Sequence, residues 1–231
     1  MRSGDRVSIV VPFLDEAATL PGLLRHLETL PGSPEVIAVD GGSVDRGPEI
    51  VAAHPSAPRL LAAGRGRARQ MNEGARVAGG GVLLFLHADT RLPPGAVAGI
   101  RAALGDRDVV GGNFALRFDG GDRFSRLLGA WYAVQRRLGV YYGDSAIWLR
   151  TDVFERLGGY RELPIMEDYD LVRRLRRAGR TVCLPGPAVT SARRWQRRGI
   201  VRTVAAWALI RWLYLVGVSP DRLARLYPRI R

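Results

Sequence analysis

Apolar and polar positions along the chain alternate between two rhythms. Near-continuous apolar runs occur at residues 7–13 (VSIVVPF), 35–40 (EVIAVD), 59–63 (RLLAA) and 82–89 (VLLFLHAD). Each is short enough for a strand and too uniformly apolar for a strand with one wet face. Between them the rhythm is helical. Leu20, Leu23, Leu24, Leu27 and Leu30 recur at spacings of three and four. The segment SVDRGPEIVAAH opens on the helix-capping residue types Ser43 and Asp45, and RARQMNEGARVA reads as a third helix. Strands alternating with helices, the strands apolar on both faces, predict an α/β fold with a mostly parallel sheet flanked by helices.

Such sheets bind ligands beyond the carboxyl ends of their strands, near a switch in strand order. Two of the apolar runs end in an acid at that edge. Asp40 closes EVIAVD and is followed by Gly41-Gly42, and Asp89 follows VLLFL as the last acid of His87-Ala88-Asp89. Either one alone reads equally well as a turn carboxylate. Two at two strand ends point to a site. The glycine-rich stretches do not supply a phosphate loop of known type. VDGGSVDRG lacks the Lys-Ser/Thr of a Walker loop, GRGRARQMNEG lacks dinucleotide glycine spacing, and VAGGGVLLF precedes a strand instead of following one. DGGS reads instead as a tight turn that lets backbone approach a ligand beside Asp40.

Composition narrows the chemistry. The 231 residues suffice for one α/β domain and carry 47% hydrophobic and 25% charged residues, an ordinary globular balance. Cys183 is the single cysteine, which excludes an internal disulfide and a cysteine-rich metal site. The N-terminal apolar run is too short and too soon interrupted for a signal peptide, so the expected location is the cytoplasm. Net charge is +13, and all 35 basic residues are arginine. Coding bias accounts for much of that, but the charge also suits anions such as a nucleoside diphosphate or anionic lipid. The arginines cluster in GRGRARQ, RRLRRAGR and ARRWQRRG. No nucleic-acid-binding motif accompanies them, so no nucleic-acid partner is expected.

Five stretches in order, SIVVPFLDEAATL, VIAVDGGSVD, GRARQMNEGA, LLFLHADT and GGY…PIMEDYDLVRRLRRAGR, resemble family 2 glycosyltransferases of the GT-A fold over most of the chain. VDGGSVD, HADT, PIMEDYDL and TSARRW are most similar to the small bacterial arsenosugar-biosynthesis-type branch, related to carotenoid-type enzymes. The resemblance implies a GT-A domain at 1–198 and a C-terminal helical extension at 199–231. It also implies an inverting transfer of sugar from a nucleotide-sugar donor, UDP by family habit, to a small-molecule or lipid-linked acceptor.

Carried over residue by residue, the resemblance makes Asp40 the base-reading acid, where the family more often has two acids and this chain has Gly41 second. Pro12 and Glu16 border the same pocket. Arg69 and Gln70 close over base and ribose. His87 stands where the family has the first acid of its metal motif, and Asp89 keeps the last acid, the usual ligand of Mn²⁺ or Mg²⁺. One carboxylate is enough if the donor's phosphate oxygens complete the shell of a hard cation. His26, His54 and His87 are the three histidines, so a late histidine ligand is absent. Arg193 and Arg194, with Arg197, around Trp195 are candidates to neutralise the diphosphate instead.

In PIMEDYDL, Asp168 matches the family's base and Glu167 an orienting or acceptor-contact role. Read without the resemblance, the pair equally suits a helix N-terminus. Asp144, in YYGDSAIWLR, is placed on the acceptor side. Residues 199–218 (GIVRTVAAWALIRWLYLVGV) form the longest apolar stretch, interrupted by Arg202 and Arg211. A helix packed on the domain, an interfacial helix with Trp207, Trp212 and Tyr214 at headgroup level, and a membrane span all stay open. The interfacial reading puts the chain on the inner face of the membrane. Two rivals remain: a nucleotide-binding relative without catalysis, and a sugar nucleotidyltransferase, which a chain without lysine suits poorly.

Overall fold

The computed structural model describes residues 3–120, 122–192 and 200–226. Its centre is one eight-stranded sheet: β1 (Ser3–Phe13), β2 (Glu35–Asp40), β3 (Arg59–Ala62), β4 (Gly80–Phe85), β5 (Thr90–Arg91), β6 (Val109–Phe118), β7 (Ile147–Arg150) and β8 (Arg180–Thr190). The spatial order is β3-β2-β1-β4-β7-β6-β8-β5. The first four in space run parallel, as the alternation predicts. β7 is antiparallel to both its neighbours, and β5 to β8.

The apolar runs are continuous because the sheet is covered on both faces. In β1, Val7, Ile9, Val11 and Phe13 enter one core with the leucines of α1 (Leu20–Glu28), while Val10 enters the other. That second core packs against Ala68, Met71 and Ala75 of α3 (Arg67–Val77). β2 and β4 divide in the same period of two: Ala38, Val82 and Leu84 face one way, Ile37, Val39, Leu83 and Phe85 the other. Each of the buried valine, leucine, isoleucine, phenylalanine and methionine side chains among them contributes about 1.5–3 kcal/mol over its exposed state.

The switch in strand order lies between β1 and β4, the place where such sheets open a crevice. Pairing of β1 with β4 ends at Val10 with Phe85, and Leu86 N–H still donates to the Val10 carbonyl at 3.0 Å. Beyond that the β4 chain turns away at His87. Strand alternation aims the backbone of Pro12 at the same side as Val10, so the missing N–H of proline falls where no partner strand continues. Pro12 itself is buried inside β1 and shapes the crevice from within the strand.

The sheet's second half was not separately legible in the sequence. β6 reads VVGGNFALRF and β8 reads RTVCLPGPAVT, both broken by glycine or proline. The β6 glycines are explained by crowding. A Cβ on Gly112 would lie 1.8 Å from the Val182 carbonyl oxygen, and one on Gly111 2.5 Å from that of Trp148.

Residues 200–215 form α8 (Ile200–Leu215), which lies on the domain between α5 (Arg123–Arg137) and α7 (Glu167–Ala178), followed by α9 (Pro220–Leu226). Ile210, Leu213 and Tyr214 pack with Val140, Met166 and Tyr169. The Trp207 ring meets that of Tyr132 at 6.5 Å. Arg211, the residue that would be costly in lipid, donates to Gln135 Oε1 at 2.7 Å and lies over the Tyr169 ring. Trp207 and Tyr214 therefore turn inward, and only Trp212 of the three expected interfacial aromatics faces out. Among the described residues no helix is long and apolar enough to cross a membrane.

Candidate active site

The site begins with the two loops at the carboxyl ends of β1 and β2, which are stitched together by their own polar side chains. Asp40 Oδ1 accepts from Ser43 N–H at 2.9 Å and from the Ser43 hydroxyl at 2.6 Å. Asp15, with φ of 55°, accepts from Val44 N–H at 2.8 Å, and its own N–H donates to Ser43 Oγ. Asp45 accepts from Ala17 and Gly47 N–H. Glu16 Oε2 accepts from Thr19 Oγ1 at 2.7 Å. The DGGS turn thus fixes one oxygen of Asp40 while the residue sits 9% exposed at the strand end. Gly42, at φ of 88°, supplies the left-handed position the turn requires.

Helix α3 ties three parts of the site. Gln70 donates both amide hydrogens, to the Phe13 and Val39 carbonyls, each at 2.8 Å. This differs from the expected base contact: the amide clamps the ends of β1 and β2 and is 4% exposed. Gly41 makes room for it, since a Cβ there would lie 3.0 Å from the Gln70 amide carbon. The glycine that replaces the family's second acid and the glutamine that fills its space are one arrangement. Asn72 exchanges hydrogen bonds with the backbone of Tyr160, 2.8 Å from its Nδ2 and 2.9 Å to its Oδ1. Arg69 is exposed and folds over Gly64.

The third tie, Arg67, went unread in the sequence. Its guanidinium forms an ion pair with Glu167 and reaches Asp168 at 4.0 Å. Burial works against its charge, but the carboxylates of Glu167 and Asp168 more than offset this and hold it above its ordinary value. Burial first, then the same two carboxylates, push the Tyr160 phenol well up, so it stays protonated beside them. The available signal was chemical: two acids opening an amphipathic helix have to be paired if they are buried.

They are buried. Glu167 is 3% and Asp168 8% exposed, at the N-terminus of α7, where the helix dipole favours anions. Asp168 Oδ1 accepts from Tyr169 N–H at 2.7 Å and Oδ2 from Gly143 N–H at 2.8 Å. The next acid, Asp170, is structural, held by Arg161 and by Arg174, which also binds the Leu157 and Gly159 carbonyls.

Gly143 joins the two halves of the site. A Cβ there would lie 2.8 Å from His87 Nε2 and 3.3 Å from Asp168 Oδ2. The strand-end histidine and the helix-start carboxylate thus converge on one glycine. His87-Ala88-Asp89-Thr90 is a turn closed by Thr90 N–H to the His87 carbonyl at 3.0 Å, with His87 and Asp89 half-buried. Asp144 follows Gly143 in the 3₁₀ turn Gly143–Ser145. Tyr142 precedes it and stacks on Tyr169, with ring centres 5.5 Å apart. Burial, then the Asp168 and Asp144 carboxylates, raise the Tyr142 phenol against the pull of Arg211. Arg193, Arg194, Arg197 and Trp195 lie outside the described residues.

Among the described residues no group of three His, Cys, Asp or Glu side chains is arranged to hold a metal ion unaided. A single carboxylate at the crevice, that of Asp89, suits a cation whose remaining ligands come with a diphosphate.

The profile of Glycosyl transferase family 2 matches residues 8–161. The chain belongs to that family. Undecaprenyl-phosphate 4-deoxy-4-formamido-L-arabinose transferase of Pseudomonas aeruginosa (strain LESB58) is 36% identical over 163 residues, covering 64% of this chain and 47% of its own. The protein of the same name from Sodalis glossinidius is 32% identical over 160 residues, covering 64% and 48%. The chain thus spans about half the length of the curated relatives it matches. Among solved structures, mannosyltransferase PcManGT from Pyrobaculum calidifontis in complex with GDP-Man and Mn²⁺ aligns with a TM-score of 0.66 at 19% identity, covering 98% of this chain and 66% of that one. Glucosyl-3-phosphoglycerate synthase from Mycobacterium tuberculosis, with Mn²⁺, UDP and phosphoglyceric acid, aligns at 0.62 and 19%, covering 89% and 78%. The sheet and its flanking helices are therefore the GT-A fold of family 2.

Proposed function

We propose that the chain is an inverting glycosyltransferase that moves a sugar from a nucleoside-diphosphate sugar, UDP in preference, to an acceptor hydroxyl. The observation that carries this reading is the convergence of His87 and Asp168 at Gly143. It sets a carboxylate anchored by two backbone N–H groups against the end of the strand that carries Asp89.

The proposed roles use that geometry. Asp40, fixed through Oδ1 by Ser43, reads an N–H of the base with its other oxygen. The cross-linked loops of Asp15, Ser43 and Asp45 keep that acid in place, and Arg69 covers the nucleotide from outside. Asp89, with His87 beside it, would hold the divalent ion, Mn²⁺ or Mg²⁺, which when bound neutralises the departing diphosphate. Asp168 takes the proton from the acceptor hydroxyl as its oxygen attacks the anomeric carbon. Glu167, locked to Arg67, orients its neighbour. Asp144 and Tyr142 line the acceptor side. The acceptor is lipid-linked, a reading supported by the lipid in the names of the curated relatives, and the chain works peripherally on the inner face of the membrane.

A second reading has the acceptor as a lipid phosphate, favoured by the undecaprenyl phosphate in the relatives' name. Two buried carboxylates beside the acceptor position oppose it, because they repel an anionic nucleophile.

Hydrolysis of UDP- and GDP-sugars in the absence of acceptor, with and without Mn²⁺, tests the reading. Metal-stimulated release of UDP is expected. Release of neither nucleotide, with nucleotide binding intact, would leave a binding protein. Asp40→Asn is expected to weaken nucleotide affinity about tenfold or more by removing a charge-assisted hydrogen bond. Turnover at saturating donor should hold, and a fall in turnover at unchanged affinity would show that Asp40 does something other than read the base.

A further inference from the structure

Two helices outside the chemistry share an outward apolar face. On α5, Leu127, Trp131 and Val134, with Leu138 just past its end, recur at helical spacing and are all exposed, Trp131 by 56%. On α8, Leu209, Trp212 and Leu215 do the same, Trp212 by 60%. The contacts between the helices advance together, Tyr132 with Trp207 and then Gln135 with Arg211. The helices therefore lie side by side, and the faces they turn away from the domain adjoin. A face with two exposed tryptophans among leucines is more apolar surface than a monomer usually leaves in water.

Charge says what covers it. Arg123 and Arg126 stand exposed at one end of the α5 stripe and Arg137 at the other. Neither 123–138 nor 200–215 contains an aspartate or glutamate. A second copy docking by the same face would set these arginines against one another with no acid to relieve them. A bilayer bearing anionic headgroups meets both features at once. We propose that the α5–α8 face docks on an anionic lipid surface, with Trp131 and Trp212 at the headgroup boundary and the three arginines on lipid phosphates. The geometry also orients the site. The chain leaves α5 through Leu138 and Tyr142 to Gly143, whose N–H holds Asp168, so the docked face adjoins the acceptor side. This last step rests on the lipid-linked acceptor proposed above, whereas the docking itself does not.

Flotation of the purified chain with phosphatidylcholine vesicles, with and without phosphatidylglycerol, tests the docking in the absence of donor or acceptor. Strong binding to the anionic vesicles alone, weakened by salt, is expected. The double variant Trp131→Glu, Trp212→Glu should lose binding at least tenfold while keeping its melting temperature and its donor hydrolysis. Should that variant misfold, the triple variant Arg123→Gln, Arg126→Gln, Arg137→Gln leaves every apolar contact in place. At about a fivefold loss per charge, it should bind anionic vesicles on the order of a hundredfold more weakly. A wild-type chain that stays in solution, or variants that float as well as wild type, would overturn the proposal. So would a wild-type dimer that the double variant splits, since the face would then belong to a second copy. A chain that docks yet transfers nothing to lipid-borne acceptors would refute the acceptor reading and leave the docking standing.

Discussion

Asp168→Asn is expected to transfer sugar about 10²–10⁴-fold more slowly than wild type while binding donor and metal with unchanged affinity. The substitution keeps the shape of the side chain but cannot accept a proton from the acceptor. It also has a structural cost that has to be measured separately. Both carboxylate oxygens of Asp168 accept backbone N–H groups, from Tyr169 and Gly143. An asparagine turns one acceptor into a donor, so one N–H loses its partner, at about 1–3 kcal/mol. A modest fall in melting temperature alongside a large fall in rate therefore fits the base assignment. Glu167→Gln should show the opposite balance. Glu167 is 3% exposed and pairs with Arg67, whose side chain is 39% exposed. Removing its charge leaves the guanidinium without its main partner, and because that guanidinium is partly solvated the loss should fall below the roughly 3–5 kcal/mol of a fully buried pair. Stability should drop more than the rate. A folded Glu167→Gln that is inactive, beside a near-normal Asp168→Asn, would move the base one residue back. Normal transfer by both would point to a phosphate acceptor, which has no proton to give up.

The parts of this site that were legible in the sequence are those set by local pattern. β2 reads as apolar until Asp40, and β4 as apolar until the HADT turn, because a parallel strand covered on both faces tolerates a charge only past its end. The leucines of α1 are periodic for the same reason. What escaped was set by contacts between distant segments. Arg67 and Glu167 are 100 residues apart, and nothing in RARQMN says that its first arginine, and not Arg69, meets the acids. Gln70 reads as a base or ribose contact through the family resemblance of its segment, and its amide instead meets two strand-end carbonyls. It is a strand clamp: its amide gives the Phe13 carbonyl a second donor beside Gly41 N–H, and reaches the Val39 carbonyl on the neighbouring strand. The apolar face of α5 is not legible as a surface, because exposure is a property of the fold.

Asp89→Ala is expected to abolish the metal-dependent part of donor binding and to leave the fold intact. The residue is half-buried in the turn after β4, outside both cores, so its loss removes no packing of consequence. The turn itself is closed by backbone, Thr90 N–H to the His87 carbonyl at 3.0 Å. Among the described residues no group of three His, Cys, Asp or Glu side chains is arranged to hold the cation in its place. Calorimetric titration of UDP with and without Mn²⁺ checks this without any turnover. Wild type should gain at least tenfold in affinity from the metal, and Asp89→Ala should gain nothing while keeping the metal-free affinity that Asp40 and its loop provide. His87→Ala is the informative companion. If His87 only shapes the crevice, by its closeness to Gly143, that variant keeps the metal-dependent gain and loses rate; if it is a ligand, the gain falls with it. Unchanged metal-dependent affinity in Asp89→Ala would place the cation elsewhere and remove the reason for an acid at the end of β4.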